Sequence, residues 1–240
     1  MSVEIPSEAP ASRFDGLITY FSILFSPKAA FDRLSRVPTW GWAAVIGTLL
    51  VVIAVILFTP AQLHLTAAMQ QKQLSQMSAD QQAAFKANAA QIQAFSKIAI
   101  YVVSFISPWF VWLVGAVIYL IAAALSGGEA KFSKAWVLAV NAFVVWGIAG
   151  VINAIIVSLR DPSTVNSPLD IMSLPSLAPL AQGSPKLAAF LFGYNPLYIW
   201  GYVVVAIGLE RMLKMSRTAA IVTVVVASLI AAGFGTLQAK

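Results

Sequence analysis

The residues that ordinarily carry chemistry are few in this sequence, and their spacing works against a catalytic centre. One histidine, His64, stands in 240 residues, and cysteine is absent. A lone histidine cannot complete the ligand set of a zinc site. Without cysteine there is no thiolate nucleophile, no disulfide and no thiolate metal site. His64 reads as an ordinary residue at the end of an apolar run. No Gly-x-Ser-x-Gly elbow, His-Glu-x-x-His pair, phosphate loop or dinucleotide fingerprint occurs. Gly127-Gly128 reads as a helix stop rather than a phosphate cradle. The expectation is a protein that is not an enzyme, with no catalytic, cofactor-binding or metal residues and no cofactor.

Polar side chains inside apolar runs are the next place to look. Asn141, Asn153 and Ser158 lie in one such run, Ser104 and Ser107 in another, and Asn195 precedes Pro196 at a helix start. An asparagine in hydrocarbon needs a partner, so both are expected to bond to neighbouring helices. The competing role is a polar lining for a lipid headgroup or a small solute. The two asparagines are separated by roughly 120° around a helix, which speaks against a shared lining. Pro108 supplies the cause for a kink in its own run. The structural or lining candidates are therefore Pro108, Asn141, Asn153, Asn195 and Pro196.

The elements that must hold these residues follow from composition. Hydrophobic residues make up 60% of the chain and charged residues 10%, against about 25% charged in a soluble domain. Several apolar stretches run for about 20 residues without an ionisable group. The fold class is all-α: a polytopic membrane helical bundle with about five transmembrane helices. The expected spans are 40–59, 98–125, 135–159, 196–213 and 218–237, forming a single membrane domain over 40–237. Pro60 is expected to mark the far end of the first, and Pro108 lies inside the second. No cleavable signal peptide is expected, because the first long apolar run begins only at Trp40.

Three further segments complete the organisation. Residues 1–12 read as a disordered lead. Over 13–39, Phe14, Leu17, Ile18, Phe21, Leu24 and Phe25 share one helical face. Ser26-Pro27 then starts a second short helix, with Ala30, Phe31 and Leu34 on one side and Lys28, Asp32 and Arg36 at i,i+4 spacing on the other. This amphipathic segment either lies in the headgroup layer or packs on the protein's own bundle. The glutamine- and alanine-rich stretch 61–97 reads as an extramembrane helical hairpin, with capping-box spacing from Ser78 to Gln81. Its second arm places Phe85, Ala89, Ile92 and Ser96 on one face.

The net charge is +6, yet the basic residues form no stripe, so no nucleic-acid partner is expected. Positive-inside bias accounts for them better. With the N-terminus inside, the inner segments carry nine basic residues: Arg13, Lys28, Arg33, Arg36, Lys131, Lys134, Arg211, Lys214 and Arg217. The longer outer segments carry six: Lys72, Lys86, Lys97, Arg160, Lys186 and Lys240. A cytoplasmic N-terminus and an outside C-terminus are the expected orientation.

Three stretches, in this order and spacing, resemble the Yip-domain family of five-span membrane proteins. They are Phe25-Ser-Pro-Lys-Ala-Ala-Phe31 with Pro38-Thr-Trp40, Leu125-Ser-Gly-Gly-Glu-Ala-Lys-Phe-Ser-Lys134, and Asn195-Pro-Leu-Tyr-Ile-Trp200 through Gly208-Leu209. The residues that carry the likeness are Pro27, Phe31, Gly127, Gly128, Phe132 and Gly208. The resemblance implies a five-helix bundle with a cytosolic N-terminus. Members in eukaryotes are linked to vesicle traffic, bind small GTPases of the Rab type and have a long N-terminal region. This chain has a short lead and is more similar to the bacterial branch, which implies the cytoplasmic (inner) membrane. The expected function is a non-enzymatic, membrane-shaping or partner-scaffolding role. The alternative is a passage for lipids or uncharged small solutes. The expected partners are the lipid bilayer and either another membrane protein or a second copy of the chain, with no metal.

Overall fold

The computed structural model describes residues 14–181 and 183–238; the expected disordered lead and Arg13 lie outside them. Every long element among the described residues is helical. Two short helices come first, α1 (Asp15–Ser22) and α2 (Pro27–Arg36). Two very long ones follow, α3 (Gly41–Leu74) and α4 (Ala79–Leu125). The remainder are α5 (Phe132–Ala142), α6 (Val144–Ser158), α7 (Pro185–Phe192), α8 (Pro196–Met212) and α9 (Arg217–Gln238). Three short 3-10 turns punctuate the proline-rich connection between α6 and α7.

Among the described residues, four stretches are long and apolar enough to cross a membrane: Gly41–Leu74, Ile98–Leu125, Phe132–Ser158 (α5 with α6) and Arg217–Phe234. A fifth arises if α7 and α8, bent by 49° at Gly193–Asn195, count as one broken span. The α5–α6 stretch is the centre of the bundle. Its apolar window is 50% buried, against 22–28% for the other three, so it is ringed by helices while they face outward.

The helix that carries the first expected span does not end at Pro60. α3 continues through the proline to Leu74, and α4 begins after a four-residue turn. A proline inside a helix forfeits one backbone bond. Beyond it, Ala61 and Leu65 are buried against Val157 and Val165, which hold the following turns in place. Pro108 likewise sits inside α4 without ending it. At 34 and 47 residues, these helices run about 51 and 70 Å, well past the roughly 30 Å hydrocarbon core. Their excess lengths are the two arms of the hairpin. Ser78 caps the second arm in a full capping box with Gln81, and Gln82 ties the turn by donating to the Leu74 and Met77 carbonyls. The face expected through Ala89, Ile92 and Ser96 falls on side chains outside those described.

Candidate functional site

The two short N-terminal helices divide their apolar residues between two surroundings. α2 buries Ala30, Phe31 and Leu34 completely or nearly so. Its contacts with α8, and that of Leu24 just before it, run in the same direction along both segments. The Trp200 indole Nε1 donates to the Leu24 carbonyl at 3.2 Å, Phe31 packs at Gly208, and the Asp32 carboxylate meets Arg211 at 3.7 Å. A Cβ at Gly208 would collide with Leu138 of α5 and come within 3.2 Å of the Phe31 ring. Glycine is what lets α2, α5 and α8 close on one another there. Phe31 and Gly208, 177 positions apart in the sequence, are thus one contact.

α1 and the residues that flank it split their side chains between the two surroundings. Thr19, Tyr20 and Ile23 face inward, all buried, with Leu24 partly packed beside them. Burial holds the Tyr20 phenol above its ordinary pKa, so this ring stays neutral. The face of strongest hydropathy points outward: Phe14 is 58% exposed, Ile18 57%, Phe21 42% and Phe25 86%. Phe14 stacks on Trp42 at the start of α3, which anchors one end of this ridge beside a span.

The α4–α5 turn joins the same end of the molecule. Gly127 has φ +74°, a conformation that L side chains strain to reach. Gly128 approaches the end of α8, where a Cβ would lie 2.7 Å from the Leu213 carbonyl. That carbonyl accepts the Glu129 amide at 2.6 Å. The Glu129 carboxylate is gripped by Lys131 and Lys134, each at 2.7 Å. Hydrogen bonds from these two ammonium groups pull its pKa down to about 2. Phe132 opens α5 and stacks on Trp136 at 6.4 Å. Phe31, Gly127, Gly128, Phe132 and Gly208 therefore gather at one end of the bundle. Lys28, Arg33, Arg36, Arg211, Lys214 and Arg217 stand there too, on α2, at the end of α8 and at the start of α9.

The polar candidates are spent elsewhere, on backbone. Asn141 donates to the Thr39 carbonyl and to Val137, both at 2.9 Å, so its partner is the linker before α3 rather than a neighbouring helix. Asn153 holds the proline-rich connection against α6. It accepts the Ser173 and Leu174 amides at 2.8 and 3.1 Å and donates to the Ile171 carbonyl at 3.0 Å. Asn195 is fully buried and caps α8, accepting the Tyr198 amide at 3.0 Å ahead of Pro196 in the first turn. On the same connection, Asp161 accepts the Ser163 amide at 2.9 Å; this bond depresses its pKa, and the field of nearby His64 adds to the effect. No cluster of histidine and carboxylates of metal-binding size occurs among the described residues.

A cleft of ≈ 420 Å³ was not foreseen from the sequence. Val114 and Gly115 of α4 form one wall and Ala227 and Ala231 of α9 the other, above a floor of Trp146 and Tyr202. Its signal was a scatter of small residues, which marks close packing as readily as space. None of the five polar or proline candidates lines it.

Phe31 meets Gly208 of α8, and Gly128 docks at the end of the same helix, so these motif residues gather at one end of the bundle. The sequence profile of the Yip1 domain matches residues 21–237. The chain belongs to the Yip1-domain family. The match takes in only the last two residues of α1, then all of α2 and the helices that follow into α9, so every candidate span of this Yip1-domain protein lies within it. Comparison with curated proteins and with solved structures returned no match. The family and the apolar helices make it a multi-pass integral membrane protein.

Proposed function

We propose that this Yip1-domain protein is a non-enzymatic membrane-shaping scaffold, with α1 inserted as an apolar wedge in the cytoplasmic leaflet. One observation carries the reading. α1 with its flanking residues turns Tyr20 and Ile23 into the bundle and leaves Phe14, Ile18, Phe21 and Phe25 outside it. An apolar ridge next to basic groups is the composition that seats a helix in an anionic headgroup layer. α2 fixes the wedge rigidly through its long seam with α8, so the ridge is displaced together with the spans. In this reading α7 and α8 form one broken span, giving five in all. The basic end is cytoplasmic, which fits the positive-inside bias of its loops, and the membrane is the bacterial inner membrane. The GTPase-binding role of eukaryotic relatives is not carried over, and the partner is a membrane protein or a second copy of the chain.

The test is reconstitution of the full chain into anionic vesicles, with vesicle diameter read by electron cryo-microscopy. Wild type narrows the diameter distribution toward small vesicles or tubules as protein density rises. The double variant Phe21→Glu with Phe25→Glu loses that effect while melting as wild type does in detergent. Equal diameters for the two proteins would remove the wedge.

A second reading, a passage for lipids or uncharged small solutes, draws support from the cleft between α4 and α9. The asparagines give it none, because both are engaged by backbone groups. A vesicle-to-vesicle lipid exchange assay separates the two readings.

A further inference from the structure

We propose that the cleft between α4 and α9 holds one acyl chain of a bilayer lipid as a resident ligand. This does not depend on the wedge reading, and it goes beyond it. α4 and α9 meet only marginally, and Ala227 and Ala231 of α9 do not reach across to Val114 and Gly115 of α4 to fill the gap. A Cβ at Gly115 would find its nearest neighbours in ordinary contact, at 3.7 Å from Ala139 and 3.8 Å from Tyr119. That side of α4 is in contact, and the open space lies beyond it, toward Ala227 and Ala231 of α9.

The surroundings say what fills that space. Val111, Val114 and Ile118 line the cleft and are also 53%, 41% and 41% exposed on the outer face of α4. Across the opening, Val225, Val226 and Ile230 of α9 are similarly exposed. Both helices are membrane-crossing stretches of an integral membrane protein, so these faces meet hydrocarbon. The lipid-facing surface runs into the cleft without a break. Water gains little there, since an apolar cavity stays dry.

Size then selects a chain over a helix. The α4 lining extends from Val111 to Tyr119, roughly 12 Å of helix. Dividing ≈ 420 Å³ by that length gives a mean section of roughly 35 Å². A helix about 10 Å across needs roughly 80 Å², so a second copy cannot seat a span in it. An apolar cavity of about 150 Å³ takes one benzene. This one holds roughly three times as much, a stretch of linear chain.

The experiment uses the full chain in phosphatidylcholine nanodiscs doped with a phosphatidylcholine carrying a photoactivatable group in its acyl chain. Adducts are mapped by mass spectrometry. The expected result is adducts concentrated on residues 111–119 and 224–231, several-fold above outward positions such as Ile53 and Val102. Ala227→Phe fills the cleft and lowers those adducts several-fold, and Ala231→Leu gives a smaller loss. Unchanged adducts at Ile53 and an unchanged melting curve keep the variants comparable. Adducts spread evenly over all outward faces, or a pattern indifferent to Ala227→Phe, would overturn the proposal. So would efficient disulfide dimers of Val114→Cys, which would make the cleft an interface between copies.

Discussion

The amide of Glu129 donates to the carbonyl of Leu213 at 2.6 Å, which fastens the α4–α5 turn to the end of α8. The bond is reachable only because Gly128 brings no side chain, since a Cβ there would sit 2.7 Å from the same carbonyl. Gly128→Ala should lower stability in detergent by about 1 to 3 kcal/mol, the usual range for an overpacked site. Gly127→Ala should cost about 1 to 2 kcal/mol through its left-handed backbone. Gly150→Ala is the control, because a Cβ there meets nothing within 4 Å. Thermal melting of the three variants checks the order, and a Gly128→Ala curve matching that of Gly150→Ala would count against the docked turn.

The same turn makes stability depend on acid. Glu129 is held near pKa 2 by Lys131 and Lys134, below the ordinary carboxylate value of 4.5. A group with a depressed folded pKa adds stability above its unfolded pKa and loses it as pH falls through the folded one. Its share should be full above about pH 4.5 and fade between there and about pH 2. Melting curves across this range should show Glu129→Gln flatter than wild type, the two converging at the acid end. Parallel curves would remove the clamp.

Asn153 and Asn141 should respond unequally to leucine. Asn153→Leu strands the Ser173 and Leu174 amides, and an orphaned buried donor costs about 1 to 3 kcal/mol. Asn141→Leu strands only carbonyls, which tolerate loss better, so about 0.6 kcal/mol is expected, a typical membrane value. Melting shifts in the opposite order would contradict these assignments.

The helices were legible in the sequence because apolar runs of spanning length have few other fates in a chain with so little charge. Their ends were less so. Pro60 carried a stop signal, but the buried contacts of Ala61 and Leu65 with Val157 and Val165 outweigh it, and such partners are invisible to a local window. The N-terminal segment shows the same limit more sharply. α2 packs its apolar face inward, whereas of the six residues expected on one face over 14–25 only Leu17 and Leu24 are half-buried. The buried face of α1 includes a threonine and a tyrosine, which hydropathy ranks below the phenylalanines left outside. Phe31, Gly128 and Gly208 stood out as motif residues without any sign that Phe31 and Gly208 touch. The cleft had no motif, since it consists of side-chain volume that is missing.

Orientation can be read directly, because the chain has no cysteine of its own. Single cysteines at the exposed positions Ser75 and Ser133 mark opposite ends of α4. In intact cells, a membrane-impermeant thiol reagent should label Ser75→Cys and spare Ser133→Cys. Labelling in the reverse pattern would invert the topology.

The wedge is tested most directly by a spin label on Phe25→Cys in the full chain, reconstituted in anionic bilayers. Relaxation by oxygen, which concentrates in hydrocarbon, is compared with relaxation by a water-soluble nickel chelate. Phe25 is 86% exposed from the protein, so whatever surrounds the label is the solvent that α1 meets. High oxygen access with low chelate access, matching a label at Ile53 and opposite to one at Ser133, is the predicted result. A label at position 25 that behaves like the one at Ser133, open to the chelate, would contradict a wedge seated in the bilayer.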